Sequence, residues 1–309
     1  MRRIVSVSIG SSQRDSKATV TVCGEEFSIE RIGTDGDMQK AIALIKELDG
    51  KVAAFGMGGI DLYLQDGKRR YILREAKQIA RAAQVTPMVD GSGLKNTLER
   101  RAIESLAKKN PGMFKDKNVL LTCAVDRFGM AQALQNTGSE VLYGDVMFAL
   151  GISLPIYRLS VLQAVVSVLA PVAVQLPFTW LYPTGSKQEE SPNRDKYAKY
   201  YAWADVIAGD YHQIRKYMPD DLAGKTIITN TITPEDVEFL KQRHVRELIT
   251  TTPNIGGRSF GTNVMEALLV ALLRKPLEEI TPEDYDQMLD KIGFVPRREM
   301  FNSALEMRQ

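Results

Sequence analysis

Cysteine and histidine are scarce in this 309-residue chain, with two of each. Cys23 and Cys123 lie far apart, each near the end of a strand-like run. That argues against a disulfide framework and makes a reduced, cytoplasmic compartment the expectation. His212 and His244 belong to no Cys/His cluster, so no metal site is expected. An excess of one charge is also missing. Forty Lys and Arg against 38 Asp and Glu leave a formal net charge of +2, with both signs interspersed. No nucleic-acid footprint and no acidic partner follow from such a balance. The N-terminal Met-Arg-Arg-Ile-Val-Ser lacks a long apolar core before a small-residue cleavage site, so no signal peptide is expected. One uncharged apolar run, residues 159–186, is long enough to span a bilayer. Pro171 and Pro177 interrupt it and Gln163 and Gln175 sit inside it. Buried or pocket-lining helices are therefore expected there rather than a membrane span, with a membrane-surface role as the alternative.

What the chain does have is regular alternation. Strand-like runs at Ile4–Ile9, Thr19–Val22 and Phe27–Arg31 are followed by a helical pattern through Ile42, Leu44, Ile45 and Leu48. Val52–Phe55 and Thr86–Val89 read as strands, and Tyr71–Ala83 and Leu94–Lys108 as helices. Asn110-Pro111-Gly112 is the clearest boundary signal. Beyond it, Val119–Cys123, a turn at Ala124–Gly129, a helical segment and the run Val141–Tyr143 lead to Gly144-Asp145. This is the layout of a nucleotide-binding βαβ unit, with an acid about 20 residues past the first turn, where such units offer a carboxylate to a ribose. The turn lacks the G-x-G-x-x-G pattern. Further strands read at Asp205–Ala208, Thr226–Thr229 and Glu247–Thr251, with a helix at Pro234–Arg243 capped by Thr233. The expected fold is α/β. An N-terminal α/β substrate domain (residues 1–112) precedes a Rossmann-like doubly wound parallel-sheet domain (113–262). C-terminal helices (263–309), opened by the apolar segment Asn263–Leu273, close across both.

Candidate chemistry collects at strand ends, the ligand edge of open α/β sheets. Ala124, Asp126, Arg127, Phe128 and Gly129 form the turn that would hold a phosphate, Arg127 adding a charge-assisted contact. Asp145 would take the ribose, and Thr231 and Thr252 end later strands. The bland reading is a turn with a surface arginine and an exposed acid. Asp90 and Lys95 flank a small-residue turn containing Ser92 and would act as acid and base on a hydroxyl or carbonyl; a plain helix-start turn accounts for it nearly as well. The glycine-dense stretch with Gly58, Gly59 and Asp61 would admit a ligand or a neighbouring backbone. Lys187, after the apolar run, would stand at a pocket rim or on a surface loop. His212, near Asp210, is an acid/base candidate or a structural histidine. Arg258 and Asn263 lie in a loop rich in glycine and hydroxyls, where Arg258 would clamp an anionic group.

Four segments carry a family resemblance: Gly-Met-Gly-Gly-Ile-Asp (56–61), Val-Asp-Gly-Ser-Gly-Leu-Lys (89–95), Tyr-Pro-Thr-Gly (182–185) and Gly-Arg-Ser-Phe-Gly-Thr-Asn-Val-Met-Glu-Ala (257–267). They resemble bacterial proteins labelled quinate 5-dehydrogenase, of the two-domain shikimate/quinate dehydrogenase type. The resemblance implies an NAD(P)-dependent oxidoreductase acting on a small hydroxylated, quinate- or shikimate-like metabolite, with NAD or NADP as cofactor. It also implies a Lys and an Asp in the substrate cleft, for which Lys95 and either Asp90 or Asp61 are the candidates. The family's cofactor turn is glycine-rich, whereas Ala124–Gly129 stands here. The alternative is a non-redox Rossmann-like protein that binds a nucleotide or metabolite. The expected partner is a small molecule, with neither nucleic acid nor a membrane span, and a homo-oligomer is left open.

Overall fold

A computed structural model describes residues 1–65, 69–176, 195–230, 232–252, 254–255 and 258–301. The chain forms two compact units. One comprises Met1–Leu98, Ser167–Glu190 and Ile255–Phe294, the other Glu99–Val166, Ser191–Asn254 and Val295–Gln309. The first crossing thus falls within the long third helix, not at Asn110-Pro111-Gly112.

The first unit begins with β1 (Arg2–Ser8), β2 (Ser16–Val22), β3 (Glu25–Gly33), α1 (Met38–Leu48) and β4 (Ala54–Gly58). It continues through β5 (Tyr63–Gln65), β6 (Arg70–Ile72), α2 (Arg74–Ala80), β7 (Met88–Val89) and the start of α3 (Ser92–Lys109). Its main sheet has the order β2-β3-β1-β4-β7, parallel except for the edge strand β2. The central strand β1 is buried continuously from Ile4 to Ser8, as expected when both faces of a parallel strand are covered. Val5, Val7, Phe55 and Met57 pack against Ala41 and Ile45 of α1 and Ala76 and Ile79 of α2. Asp37 starts α1 by accepting a hydrogen bond from the Lys40 amide at 2.9 Å. The helix expected over Tyr71–Ala83 is shorter. Tyr71 and Ile72 pair with Leu64 and Tyr63 in the β5–β6 hairpin, so cross-strand pairing of aromatic and branched side chains overrides the helical spacing.

The second unit contains β8 (Asn118–Leu121), α4 (Phe128–Gln135), β9 (Glu140–Tyr143), α5 (Asp145–Leu150), α6 (Leu159–Ala173) and α7 (Asp195–Trp203). Of α6 only the part up to Val166 belongs to this unit, and the rest, from Ser167, to the first. Then come β10 (Val206–Gly209), α8 (Tyr211–Tyr217), β11 (Thr226–Thr229), α9 (Pro234–Gln242) and β12 (Glu247–Thr250). After β13 (Asn254–Ile255) and β14 (Arg258–Ser259), α10 (Thr262–Leu273) and α11 (Pro282–Lys291) belong to the first unit, and β15 (Arg297–Met300) to the second. The second sheet runs β15-β12-β11-β10-β8-β9, with only β15 antiparallel. Counted within the unit, its parallel strands follow the order 2-1-3-4-5. This is a doubly wound sheet with its switch point between β8 and β10, and not the 3-2-1-4-5-6 order of dinucleotide-binding sheets.

Both units are α/β, and the two-domain α/β architecture stands. In the first unit α10 lays Val264, Met265, Leu268 and Leu269 into the core with Ile4, Phe27, Ala54, Leu94 and Leu98. In α6, Leu159 and Leu162 are buried, while Val161, Val168 and Val172 face solvent, so this apolar helix is covered on one side only. Among the described residues, no helix is long and apolar enough to cross a membrane.

Candidate functional site

In the first unit, the loops after β4 and β7 bring Asp61 to Lys95. Lys95 Nζ donates to Asp61 Oδ1 at 2.9 Å, and the two side chains are 8 % and 18 % exposed. Lys95 lies in the first turn of α3, so a rigid helix presents it. Asp90 does not share this pairing. Its Oδ2 accepts the Leu62 amide at 2.6 Å and its Oδ1 the Ser92 amide at 3.0 Å. It therefore fixes the strand-end turn and the loop carrying Asp61. The acid that meets Lys95 is Asp61, and Asp90 orients it.

The glycines of this edge are required by close approach. A Cβ on Gly58 would fall 2.9 Å from Ser8 Cβ, and Ser8 Oγ already accepts Arg31 Nη2 at 3.0 Å. Gly59 has φ +74°. Gly91, at φ +97°, would place a Cβ 2.8 Å from the Asn263 nitrogen. Asn263 donates through Nδ2 to Ser6 Oγ at 2.8 Å, so it ties the start of α10 to β1.

Two groups at this site escaped the sequence reading. Glu266 of α10 is 4 % exposed, and its Oε1 accepts the Tyr285 hydroxyl at 2.8 Å. Burial and the nearby Asp90 push its carboxyl up to about 7, against the Tyr285 hydroxyl, the Gly91 amide and Lys95. Tyr285 is held far above the ordinary phenol range by burial and by Glu266. The usable signal was Glu266 itself, the sole charged residue of an apolar helix.

The second unit's strand-end turn is engaged internally. Asp145 Oδ1 accepts the Val125 amide at 2.9 Å and Oδ2 the Ala124 amide at 3.1 Å. Burial pushes the Asp145 carboxyl up to about 6, opposed by those amides. Arg127 is 1 % exposed and ion-paired with Glu99 and with Asp210, the latter at 3.2 Å. Ala124, Phe128 and Gly129 are buried and Asp126 half-buried. Gly209, at φ +134°, abuts Thr122, and Cys123 Sγ accepts the Asp210 amide at 3.4 Å. Burial raises that thiol to about 12, which removes it as a nucleophile. Asp210 caps α8 through the His212 amide at 2.9 Å; His212 is an exposed residue of that helix and belongs to the second unit, whereas Lys95 belongs to the first. Thr252 Oγ1 donates to the Asn230 carbonyl at 2.7 Å. Thr231 and Lys187 lie outside the described residues, as does the side chain of Arg258.

A family model described as "Domain of unknown function (DUF8754)" matches residues 93–301, and a second, "Domain of unknown function (DUF8753)", matches residues 3–90. The chain belongs to the DUF8754 family. No curated protein matches it. Among solved structures, a Mycobacterium smegmatis protein in complex with beta-D-fucofuranose is 10 % identical, with 98 % of this chain and 100 % of that chain covered and a TM-score of 0.38. The arabinose-binding protein AraP from Geobacillus stearothermophilus is 10 % identical, with coverages of 93 % and 99 % and a TM-score of 0.40. A hetero-hexameric glutamate dehydrogenase from Thermus thermophilus is 11 % identical, with coverages of 94 % and 73 % and a TM-score of 0.40.

The expectation of an NAD(P)-dependent oxidoreductase for a quinate-like metabolite, with its oxidoreductase and NAD(P)-binding labels, is corrected. The physical reason lies in the turn. Asp145, expected to take a ribose, closes on the turn's own amides. Arg127, expected to meet a phosphate, is consumed by two carboxylates. Thr122 and Cys123 fill the space between the ends of β8 and β10. The alternative, a non-redox protein that binds a nucleotide or metabolite, is left standing.

Proposed function

We propose that this protein binds a small, polyhydroxylated, uncharged metabolite without redox chemistry, and that the Lys95–Asp61 pair is the recognition element. The observation supporting this reading is the pair itself. Two glycine-dense motifs 34 residues apart put an ammonium donor and a carboxylate acceptor side by side at the C-terminal edge of a parallel sheet, where open α/β sheets receive ligands. Adjacent hydroxyls of a polyol would accept from Lys95 and donate to Asp61, and charge-assisted bonds of that kind are the strong ones. The opposite charges cancel, which favours a neutral ligand over an anion.

Calorimetric titration with neutral sugars and polyols, alongside quinate, shikimate and nucleotides, tests the reading. Saturable binding of a neutral polyol is expected, and Asp61→Asn or Lys95→Gln should weaken it at least about tenfold, the loss of roughly one charge-assisted bond. Circular dichroism would verify that the variants stay folded. Polyol affinity untouched in both variants, or no polyol bound at all, sinks the assignment.

A further inference from the structure

The second unit has a wide cavity, open to solvent, at the opposite, N-terminal edge of its sheet. The C-terminal end of α3, the start of β12 and β15 supply its walls, including Lys109, Asn110, Arg246, Glu247, Arg298 and Met300. Its charge is one-sided. Glu247, with a side chain 3 % exposed, is the acid of the lining, and Arg298 neutralises it through Nη2 at 2.5 Å and Nε at 2.7 Å. With the Asn110 amide turned so that its oxygen faces Arg298, that oxygen accepts Nη1 at 2.6 Å, which holds this guanidinium on both sides. Arg246 donates to Thr226 Oγ1 at 2.8 Å. Among the described residues, neither Arg246 nor Lys109 is paired with a carboxylate. Lys109 has a local reason to be basic, because cations are favoured at a helix C-terminus. Arg246 stands immediately before a strand and has no such reason. Two uncompensated cations and a fixed guanidinium therefore share one concavity.

We infer that this cavity is a binding site for a small phosphorylated metabolite. Phosphate is the group that converging Arg and Lys side chains recognise best, since guanidinium forks match its oxygens and an ammonium adds a point charge. A nucleic acid would need a basic stripe across the molecule, and the chain's net charge is only +2. The site lies in a different unit from Lys95 and Asp61 and does not depend on the function proposed for them.

Full-length protein should be titrated at low ionic strength with inorganic pyrophosphate, and with a hexose monophosphate beside the unphosphorylated hexose. One pyrophosphate per chain is expected, with Kd below about a millimolar, and the hexose monophosphate should compete for the same site. Arg246→Ala and Lys109→Ala should each weaken pyrophosphate about tenfold, with Arg246→Lys in between. Both side chains are exposed, and unchanged thermal unfolding would verify folding. Lys95→Gln should leave pyrophosphate affinity unaltered, so the two proposals fail separately. Absence of saturable binding, or full binding in the Lys109→Ala/Arg246→Ala variant, overturns the site. Tighter binding of an acidic peptide than of pyrophosphate overturns the ligand class.

Discussion

Glu266 illustrates how one residue's surroundings set a property of the whole chain. Its carboxyl is buried among Asp90, Tyr285 and the amide of Gly91, and burial and then Asp90 push it up to about 7, above the ordinary glutamate range. A raised carboxyl means that the folded state holds the proton more tightly than the unfolded one. Stability from this group is therefore fully present below the unfolded-state value and is lost as pH rises through about 7. The difference amounts to about 3 kcal/mol at most. Glu266→Gln should accordingly flatten the fall in urea-unfolding stability between pH 5 and 8, and an unchanged slope would refute the assignment. Asp145, raised to about 6, has the same sign but a lower window. A residual slope below that pH in Glu266→Gln would belong to Asp145, and Asp145→Asn should remove it.

At the scale of elements, the turn between β8 and α4 shows what a sequence discloses and what it hides. The spacing from the turn to Asp145 was legible, and so was the strand–helix–strand layout, because period and turn residues are local. The use of Asp145 was not, since a ribose and two backbone amides ask for the same carboxylate at the same distance. Arg127 was equally ambiguous: Glu99 lies 28 residues before it and Asp210 83 after it. In the first unit the motifs carrying Lys95 and Asp61 announced themselves through their glycines, whereas Tyr285 reaches the site only because α11 packs on α10. The buried Arg127–Glu99 pair gives a further prediction. Arg127→Met would take from the buried Glu99 carboxylate the guanidinium that faces it, at a cost of up to about 3–5 kcal/mol. Replacing both by apolar residues, Arg127→Met with Glu99→Leu, should recover much of that loss, because the desolvation cost of both charges then disappears. Denaturant midpoints of the single and double variants check this, and equal midpoints would mean the pair contributes no such coupling.

For the whole molecule, continuity of sequence and continuity of structure part company. A cut at Asn110-Pro111-Gly112 looks natural, whereas the family models divide the chain earlier, one ending at residue 90 and the other beginning at 93. Yet the first unit takes residues 255–294 back into itself. Val264, Met265, Leu268 and Leu269 of α10 are almost wholly buried on one face of the first sheet, with Tyr285, Met288 and Leu289 of α11 behind them. Each fully buried aliphatic side chain contributes about 1.5–3 kcal/mol. The four from α10 alone thus approach the entire net stability of a typical domain, about 5–15 kcal/mol. A fragment of residues 1–112 should therefore lack a cooperative unfolding transition and a dispersed amide NMR spectrum, although it contains every strand of its sheet. Adding a peptide of residues 255–294 in trans should restore both, because it returns the missing layer to the exposed face. If the 1–112 fragment folded cooperatively alone, α10 would be a covering on a self-sufficient core; restoration by the peptide would make it part of that core.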